Sequence, residues 1–309
     1  MNFLITGAAG FLGSALANTL AREGHQVRGL DDLSTGDPQA LDPGVHFTRG
    51  DVNDRPKLWT LLQEVDCVYH LAARVSVPES VLYPREYNAV NVGGTVSLME
   101  AMRDVGVRRV VLASSGAIYG DQDVHPAGED HPARPVSPYG VAKLAVERYL
   151  FFYHVAYGLD VAALRYAHVY GPRQNPHGEA GVVAIFLDRL LAGQEAVING
   201  DGMQTRDYVY VGDVVAANLA VIGRPGFLTY NVGTGVETTV VDLYRLLAAA
   251  AGADRPPRHG AAKAGEQRRS CITAAALERE LGVTVGTPLA EGLRATAAWF
   301  AARRSAATA

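Results

Sequence analysis

Tyr139 and Lys143 stand four residues apart in the stretch SPYGVAKLAVE, which runs from Ser137 to Glu147. On a helix this spacing puts both side chains on one face, a turn apart. An ammonium beside a phenol favours the phenolate and draws its pKa down from about 10 towards neutrality. Such a pair can take a proton from a hydroxyl as a general base. The helix start is well signalled, since Ser137 is a good N-cap and Pro138 suits the first helical position. The chain holds three lysines, Lys57, Lys143 and Lys263, so a chance Tyr-x-x-x-Lys is expected about 0.1 to 0.2 times. On the motif alone, an ordinary surface contact between two helix residues would be the better reading.

The motif has company. Upstream, RRVVLASS reads as a buried strand that ends in ASSGAIYG. In a parallel sheet the carboxyl ends of the strands line the ligand crevice, which puts Ser114 and Ser115 beside it. At the N-terminus Gly7, Gly10 and Gly13 follow the apolar run FLIT and open the helical stretch SALANTLAREG. Glycines there permit a tight turn and let a pyrophosphate approach the N–H groups of a helix start. The next strand, QVRGL, ends at Asp31 and Asp32. A carboxylate at that point accepts hydrogen bonds from a ribose 2′-OH and repels a 2′-phosphate, which favours NAD over NADP. Asp51, closing VHFTRGD, suits the adenine amino group or a cap on the next turn equally well.

The elements that must position these groups follow an alternating rhythm. After the first βαβ unit come the helix PKLWTLLQE, the strand DCVYHLAA, a helix over 88–105, the strand RRVVLASS, a helix over 137–157 and the strand LDVAALRY. Continuous apolar strands alternating with helices mean a parallel sheet covered on both faces. The rhythm weakens after Tyr166. GPRQNPHGEAG reads as loop, 182–192 as helix, and EAVINGDGMQTRDYVYVGDV as two short strands around a turn. A helix, the strand LTYNVGTG, a helix over 240–251, a polar loop and a last helix near 290–303 follow, with RRSAATA as a frayed tail. The fold class is thus α/β: a Rossmann-type doubly wound parallel sheet with a smaller mixed α/β C-terminal lobe. The expected domains are 1–166 plus about 208–235 for the cofactor, and 167–207 plus 236–309 for the substrate.

Composition narrows the partners. A net charge of −4 and the lack of a long basic stretch argue against nucleic acid. No apolar run approaches the roughly 20 residues that cross a bilayer. The opening MNFLITGAAG has neither the basic nor the long apolar region of a signal peptide, so a cytoplasmic protein is expected. Cys67 and Cys271 lie far apart and form no Cys-x-x-Cys, so neither disulfide nor metal site is expected.

Taken in order, TGAAGFLG, LDDLSTG, GDV, HLAA, NVGGT, ASSGAIYG, SPYGVAK, YGPRQ and GDGMQTRDYVYVGDV resemble the extended short-chain dehydrogenase/reductase family, most closely its UDP-glucose 4-epimerase branch. The matches run through nearly the whole chain. The resemblance implies NAD as cofactor and a UDP-sugar as substrate. Tyr139 would be the base, Lys143 would bind the nicotinamide ribose, and Ser115 would hydrogen-bond the reacting sugar oxygen. It carries the cofactor over to Gly7, Gly10, Phe11, Leu12 and Gly13, and to Asp31, Asp32, Ser34, Thr35 and Gly36. Asp51, Val52, Leu71, Ala72 and Ala73 join them, Ala72 and Ala73 passing close to the pyrophosphate. Asn91 would support the active-site helix. Ser114, Tyr139, Lys143, Tyr166, His168 and Val169 complete the cofactor set. For the substrate it implies Ser76, Ser115, Gly116, Tyr139, His168, Val182 and Val183. Arg206 would clamp the diphosphate, for which a guanidinium's planar fork is suited; the plainer reading is a salt bridge to Asp207.

Departures from the family pattern sharpen the reading. Dehydratases have Asp and Glu after the serine or threonine of this strand; here stand Gly116 and Ala117, so water loss is not expected. His168 replaces an Asn that contacts the diphosphate, and Lys263 replaces an Arg. Ser270 aligns with a gate beside the sugar C2 substituent, where a small residue goes with tolerance of N-acetyl sugars. UDP-glucose/UDP-galactose 4-epimerisation, with the N-acetyl pair, is therefore the expected activity. The alternatives are a UDP-glucuronate or other nucleotide-sugar 4-epimerase, a reductase, and an idle NAD-binding regulatory protein. As in the family, the helices at 88–105 and 137–157 would pair with their copies in a homodimer.

Overall fold

The apolar runs become strands buried on both faces in the computed structural model, which describes residues 1–177, 181–262 and 267–308. β1 (Asn2–Thr6), β2 (Gln26–Asp31), β3 (Val45–Arg49), β4 (Cys67–His70), β5 (Arg109–Ser115) and β6 (Asp160–Tyr166) come first. Between them lie α1 (Phe11–Arg22), α2 (Arg55–Leu61), α3 (Val77–Leu82), α4 (Pro84–Tyr87), α5 (Gly94–Val105) and α6 (Pro138–Tyr157). Then follow β7 (His168–Tyr170), α7 (Val182–Leu191), β8 (Val197–Asn199), β9 (Thr205–Arg206), β10 (Tyr208–Tyr210) and α8 (Val211–Ala220). The chain ends with β11 (Phe227–Val232), β12 (Thr238–Thr239), α9 (Val240–Ala251), β13 (Arg258–Gly260), α10 (Ala275–Leu281) and α11 (Leu289–Thr308).

Seven strands form one sheet in the order β11-β6-β5-β4-β1-β2-β3. β1 runs parallel to β2 on one side and to β4 on the other, so the strand order reverses at β1. In such sheets ligands bind beyond the carboxyl ends of the strands at this switch point. Thr6, Asp31, His70 and Ser115 stand at those ends.

The chain forms two compact units: Met1–Gly120, Pro132–Arg165 and Val215–Tyr230 make one, and Asp121–His131, Tyr166–Val214 and Asn231–Ala309 the other. The stretch 121–131, which the sequence put with the cofactor domain, clusters with the second unit. The first unit's core includes Leu4, Leu30, Val68, Leu98, Met102, Leu112 and Leu150, all almost without solvent exposure. The second has its own, with Val183, Phe186, Leu187, Leu243, Leu247, Leu293 and Phe300 from α7, α9 and α11.

Several expectations are corrected. The stretch read as two short strands around a turn holds three: β8 pairs in parallel with β13, β9 with β12 and β10 with β7. β13 falls in the stretch read as polar loop. α3, α4 and α10 are short helices that the sequence did not signal. The helix read over 88–105 contains a wider π turn over Asn88–Gly93. The tail is not frayed; its run of Ala and Arg, both strong helix formers, extends α11 to Thr308.

Candidate active site

At the cofactor end, α1 begins at Gly10 with no side-chain cap. The N–H groups of its first turn are therefore not taken by a capping oxygen, which suits a phosphate. A Cβ on Gly10 would meet only the Gly7 carbonyl, at 3.2 Å, so the space over this turn is open. Gly7 and Gly13 are held for another reason. Gly7 has φ +72° and its Cβ would lie 2.7 Å from the Ala72 nitrogen; that of Gly13 would lie 1.9 Å from the Gly7 carbonyl oxygen. Asp31 is buried, and accepts the Ala9 N–H at 3.0 Å and the Leu33 N–H at 2.8 Å. Burial pushes its pKa up and the Asp32 charge adds to this, while the backbone donors oppose it. Gly36 lets the loop pass close, since a Cβ there would sit 2.9 Å from Asp31 Oδ1. Asp32 caps its own turn through the Ser34 N–H at 2.8 Å, in the loop that carries Thr35. This uncapped, open helix start with a carboxylate at the next strand end fits a dinucleotide with a free 2′-OH.

Other residues assigned to the cofactor also make contacts within the fold. Asp51 Oδ1 accepts the Asn53 N–H at 2.8 Å, a turn cap that leaves Oδ2 of this exposed carboxylate for the other reading, the adenine amino group. Val52 packs into the core, where a Cβ on Gly94 would strike its Cγ1 at 2.4 Å. Ser114 gives its hydroxyl to Glu147 at 2.5 Å.

A residue not singled out from the sequence organises this wall. Thr95 donates to the Asn91 carbonyl at 2.6 Å, so towards His70 Nε2, at 2.8 Å, it can only accept. Nε2 therefore carries the proton, and Nδ1 accepts from the Thr6 hydroxyl at 2.8 Å. The Thr6 oxygen in turn accepts the Ala72 N–H at 3.3 Å. Asn91 grips Arg74 from both sides, accepting its N–H at 2.8 Å and donating to its carbonyl at 2.9 Å. The loop through Leu71, Ala72 and Ala73 is thus pinned over Gly7. Burial, with the Lys143 cation adding to it, pushes the His70 pKa down to about 3.

The relay sits at the start of α6. Ser137 Oγ accepts the Gly140 N–H at 3.1 Å, and the Tyr139 N–H donates to Ser80 Oγ at 3.2 Å. A Cβ on Gly140 would lie 2.6 Å from the Ala117 carbonyl, so a glycine lets the turn after Ser115 press against the helix start. Lys143 is 5% exposed; its Nζ donates to the Ala113 carbonyl at 2.8 Å and lies 5.9 Å from the centre of the Tyr139 ring. Ser115 Oγ accepts the Ala117 N–H at 3.1 Å, which leaves its own hydrogen to give. Gly116 is buried in that turn. Ser76 caps α3 through the Glu79 N–H at 3.3 Å.

The second unit holds the other assigned residues. Arg206 donates to the Thr205 carbonyl at 2.7 Å. Asp207 is fully buried and faces Thr234, Gly235 and Ile272, accepting from the Thr234 N–H at 3.0 Å and from its hydroxyl at 2.5 Å, which explains this acid without Arg206. His168 is exposed in β7. Val169 is partly buried beside it, and Tyr166 buried. Ser270 is buried and takes the Asp207 N–H on its carbonyl at 3.0 Å. Val183 is a correction: its side chain lies in the core of the unit, with Val182 packed against that core. Lys263 lies outside the described residues.

Comparison with known proteins gives the family. Residues 3–233 match the NAD dependent epimerase/dehydratase family. The chain is 45% identical to a UDP-glucose 4-epimerase of Mycolicibacterium smegmatis, over 97% of this chain and 98% of that one. Among solved structures, the UDP-glucose 4-epimerase of Thermotoga maritima with UDP-glucose superposes with a TM-score of 0.95 at 40% identity, covering 99% of this chain and 100% of that one. That of Thermus thermophilus with NAD gives 0.91 at 40% identity, covering 97% and 99%.

His70 predicts how stability depends on pH. Below about pH 6.5 the unfolded chain takes up a proton that the folded ring refuses until about pH 3. Stability is therefore lost as the pH falls through this window, by about 1.4 kcal/mol per unit. In urea unfolding, His70→Gln should shrink the stability difference between pH 7 and pH 5 by about 2 kcal/mol. An unchanged difference would mean that the native ring also takes up the proton.

Proposed function

The chain belongs to the NAD dependent epimerase/dehydratase family, and we propose that it interconverts UDP-glucose and UDP-galactose at C4, and UDP-N-acetylglucosamine and UDP-N-acetylgalactosamine in the same way. Tyr139, as phenolate, takes the proton of the sugar 4-hydroxyl. Lys143 holds that phenolate charged, and Ser115 gives its hydrogen to the same sugar oxygen. NAD, held by the Gly7–Gly13 turn and Asp31, would supply a reversible hydride acceptor for C4. Tyr139 then gives the proton back, and the net redox change is zero. The Gly7–Gly13 turn and the start of α1 would hold the pyrophosphate, Asp31 the adenosine ribose, and Ala72 and Ala73 the wall beside them.

The observation that carries this reading is the buried Lys143 on the Ala113 carbonyl, on one helix face with Tyr139. Gly116 and Ala117 offer no proton donor for dehydration. Arg206 would clamp the diphosphate, with His168 as a donor beside it. The small Ser270 supports acceptance of N-acetyl sugars. A UDP-glucuronate epimerase would need a donor for the C6 carboxylate, and none is identified among the described residues. A reductase would accumulate absorbance at 340 nm with substrate, and an idle NAD-binding protein has no use for an intact relay.

The partner is a second copy of the chain. Val141, Tyr149, Phe152 and Val155 form an exposed apolar stripe on α6. At about 100° per residue this stripe lies opposite Tyr139 and Lys143, leaving the relay free when two copies pair. Two buried free thiols, Cys67 and Cys271, support a reducing compartment, the cytoplasm.

Three outcomes are expected. Incubated with UDP-glucose, the protein should yield the galactose epimer; Tyr139→Phe should lose about a thousandfold or more in kcat and keep its NAD. Wild-type-like turnover by that variant would remove Tyr139 from the chemistry. Ser270→Tyr should abolish turnover of the N-acetyl sugar and spare UDP-glucose within a few-fold; equal losses on both would contradict the gate. Light scattering should show a dimer that Phe152→Glu converts to monomer, and a monomeric wild type would refute the pairing.

A further inference from the structure

The relay leaves one strongly placed group at the junction of β5 and α6 without a task. Glu147 stands one turn beyond Lys143 and is 4% exposed. Its Oε1 accepts the Ser114 hydroxyl at 2.5 Å and Arg165 Nε at 3.0 Å, and its Oε2 accepts Arg165 Nη2 at 2.8 Å. Arg165 also donates to the Tyr119 hydroxyl at 2.9 Å, with its guanidinium 5.3 Å from the centre of that ring. The carboxylate thus ties α6 to β5, to β6, and through Arg165 to the turn over Gly116–Tyr119.

Stability alone does not ask for this arrangement. Desolvating a carboxylate and a guanidinium costs several kcal/mol each, and a well-packed apolar pair commonly serves as well. A network with its members satisfied fixes geometry more tightly than apolar packing does. The geometry fixed here is specific. Ala113 receives Lys143 Nζ on its carbonyl, Ser114 donates its hydroxyl to Glu147, and the next residue, Ser115, carries the hydroxyl assigned to the sugar oxygen. Two consecutive residues of β5 are thus latched to two successive turns of α6.

We infer that Glu147, with Ser114 and Arg165, is a positioning device that sets the register between Tyr139 and Lys143 on α6 and Ser115 on β5. The inference rests on the reading of those three residues as the epimerase relay. Misplacing reacting groups by about an ångström can cost about a hundredfold in rate, so a loose latch would appear in turnover rather than in binding.

Ser114→Ala cuts the link to β5 and leaves the pair with Arg165 in place; Glu147→Gln keeps the shape and one acceptor. For each, turnover of UDP-glucose is measured per bound NAD, with KM and the isotope effect of deuterium at the sugar C4. The rate per bound NAD should fall about 10- to 100-fold, with KM and NAD content within about twofold. The isotope effect should be no smaller than that of the wild type. A folding defect would lower the NAD-loaded fraction and leave the rate per bound NAD unchanged. A rate per bound NAD within twofold of wild type, or a smaller isotope effect, overturns the inference. Should Glu147→Gln fail to fold, Ser114→Ala decides. A wild type that does not epimerise UDP-glucose at all defeats the functional reading instead.

Discussion

The most demanding feature of this fold is the burial of Lys143. Taking an ammonium out of water costs several kcal/mol unless strong partners replace the solvent. The Ala113 carbonyl at 2.8 Å is one such partner, and it fixes how closely α6 must approach β5. That approach explains the local sequence. Gly140 is small because the Ala117 carbonyl lies where a side chain would begin. Ser137, Pro138 and the Ser80 hydroxyl settle the first N–H groups of the helix, so that its start needs no water. Tyr139 is carried on the same face, beside the charge that makes a phenol useful as a base.

The cofactor side is built in the same manner, from buried polar groups whose hydrogen bonds run in a determined order. Thr6, His70, Thr95 and Asn91 form one directed chain that ends on the backbone of the loop over Gly7. The charge of Lys143 reaches into it and helps to keep His70 neutral. Lys143 and the loop over Gly7 thus share one electrostatic environment within the first unit.

What was legible in the sequence was local. The Gly7–Gly13 turn, the Ser137 cap, the Tyr139–Lys143 spacing and the apolar strands each depend on residues a few positions apart. What stayed hidden depends on distant partners. His70 sits in the quoted motif HLAA, but its tasks are set by Thr6 and Thr95, which are 64 and 25 positions away. That the Ser114 hydroxyl is given to Glu147, 33 positions on, is likewise set by a distant partner. The pairing of β8 with β13 was not legible because its partner lies far along a polar stretch with no strand pattern. Val183 has the residue type of a pocket wall and of a core alike, and only packing separates the two.

The central claim is that one sugar carbon is oxidised and reduced again, with the hydride never lost to water or to a second substrate. UDP-glucose carrying deuterium at C4, incubated with the protein in ordinary water, tests it most directly. The account predicts UDP-galactose that keeps the deuterium at C4, with no lasting absorbance at 340 nm. Loss of the label to solvent, or a lasting oxidised sugar with reduced cofactor, would contradict it.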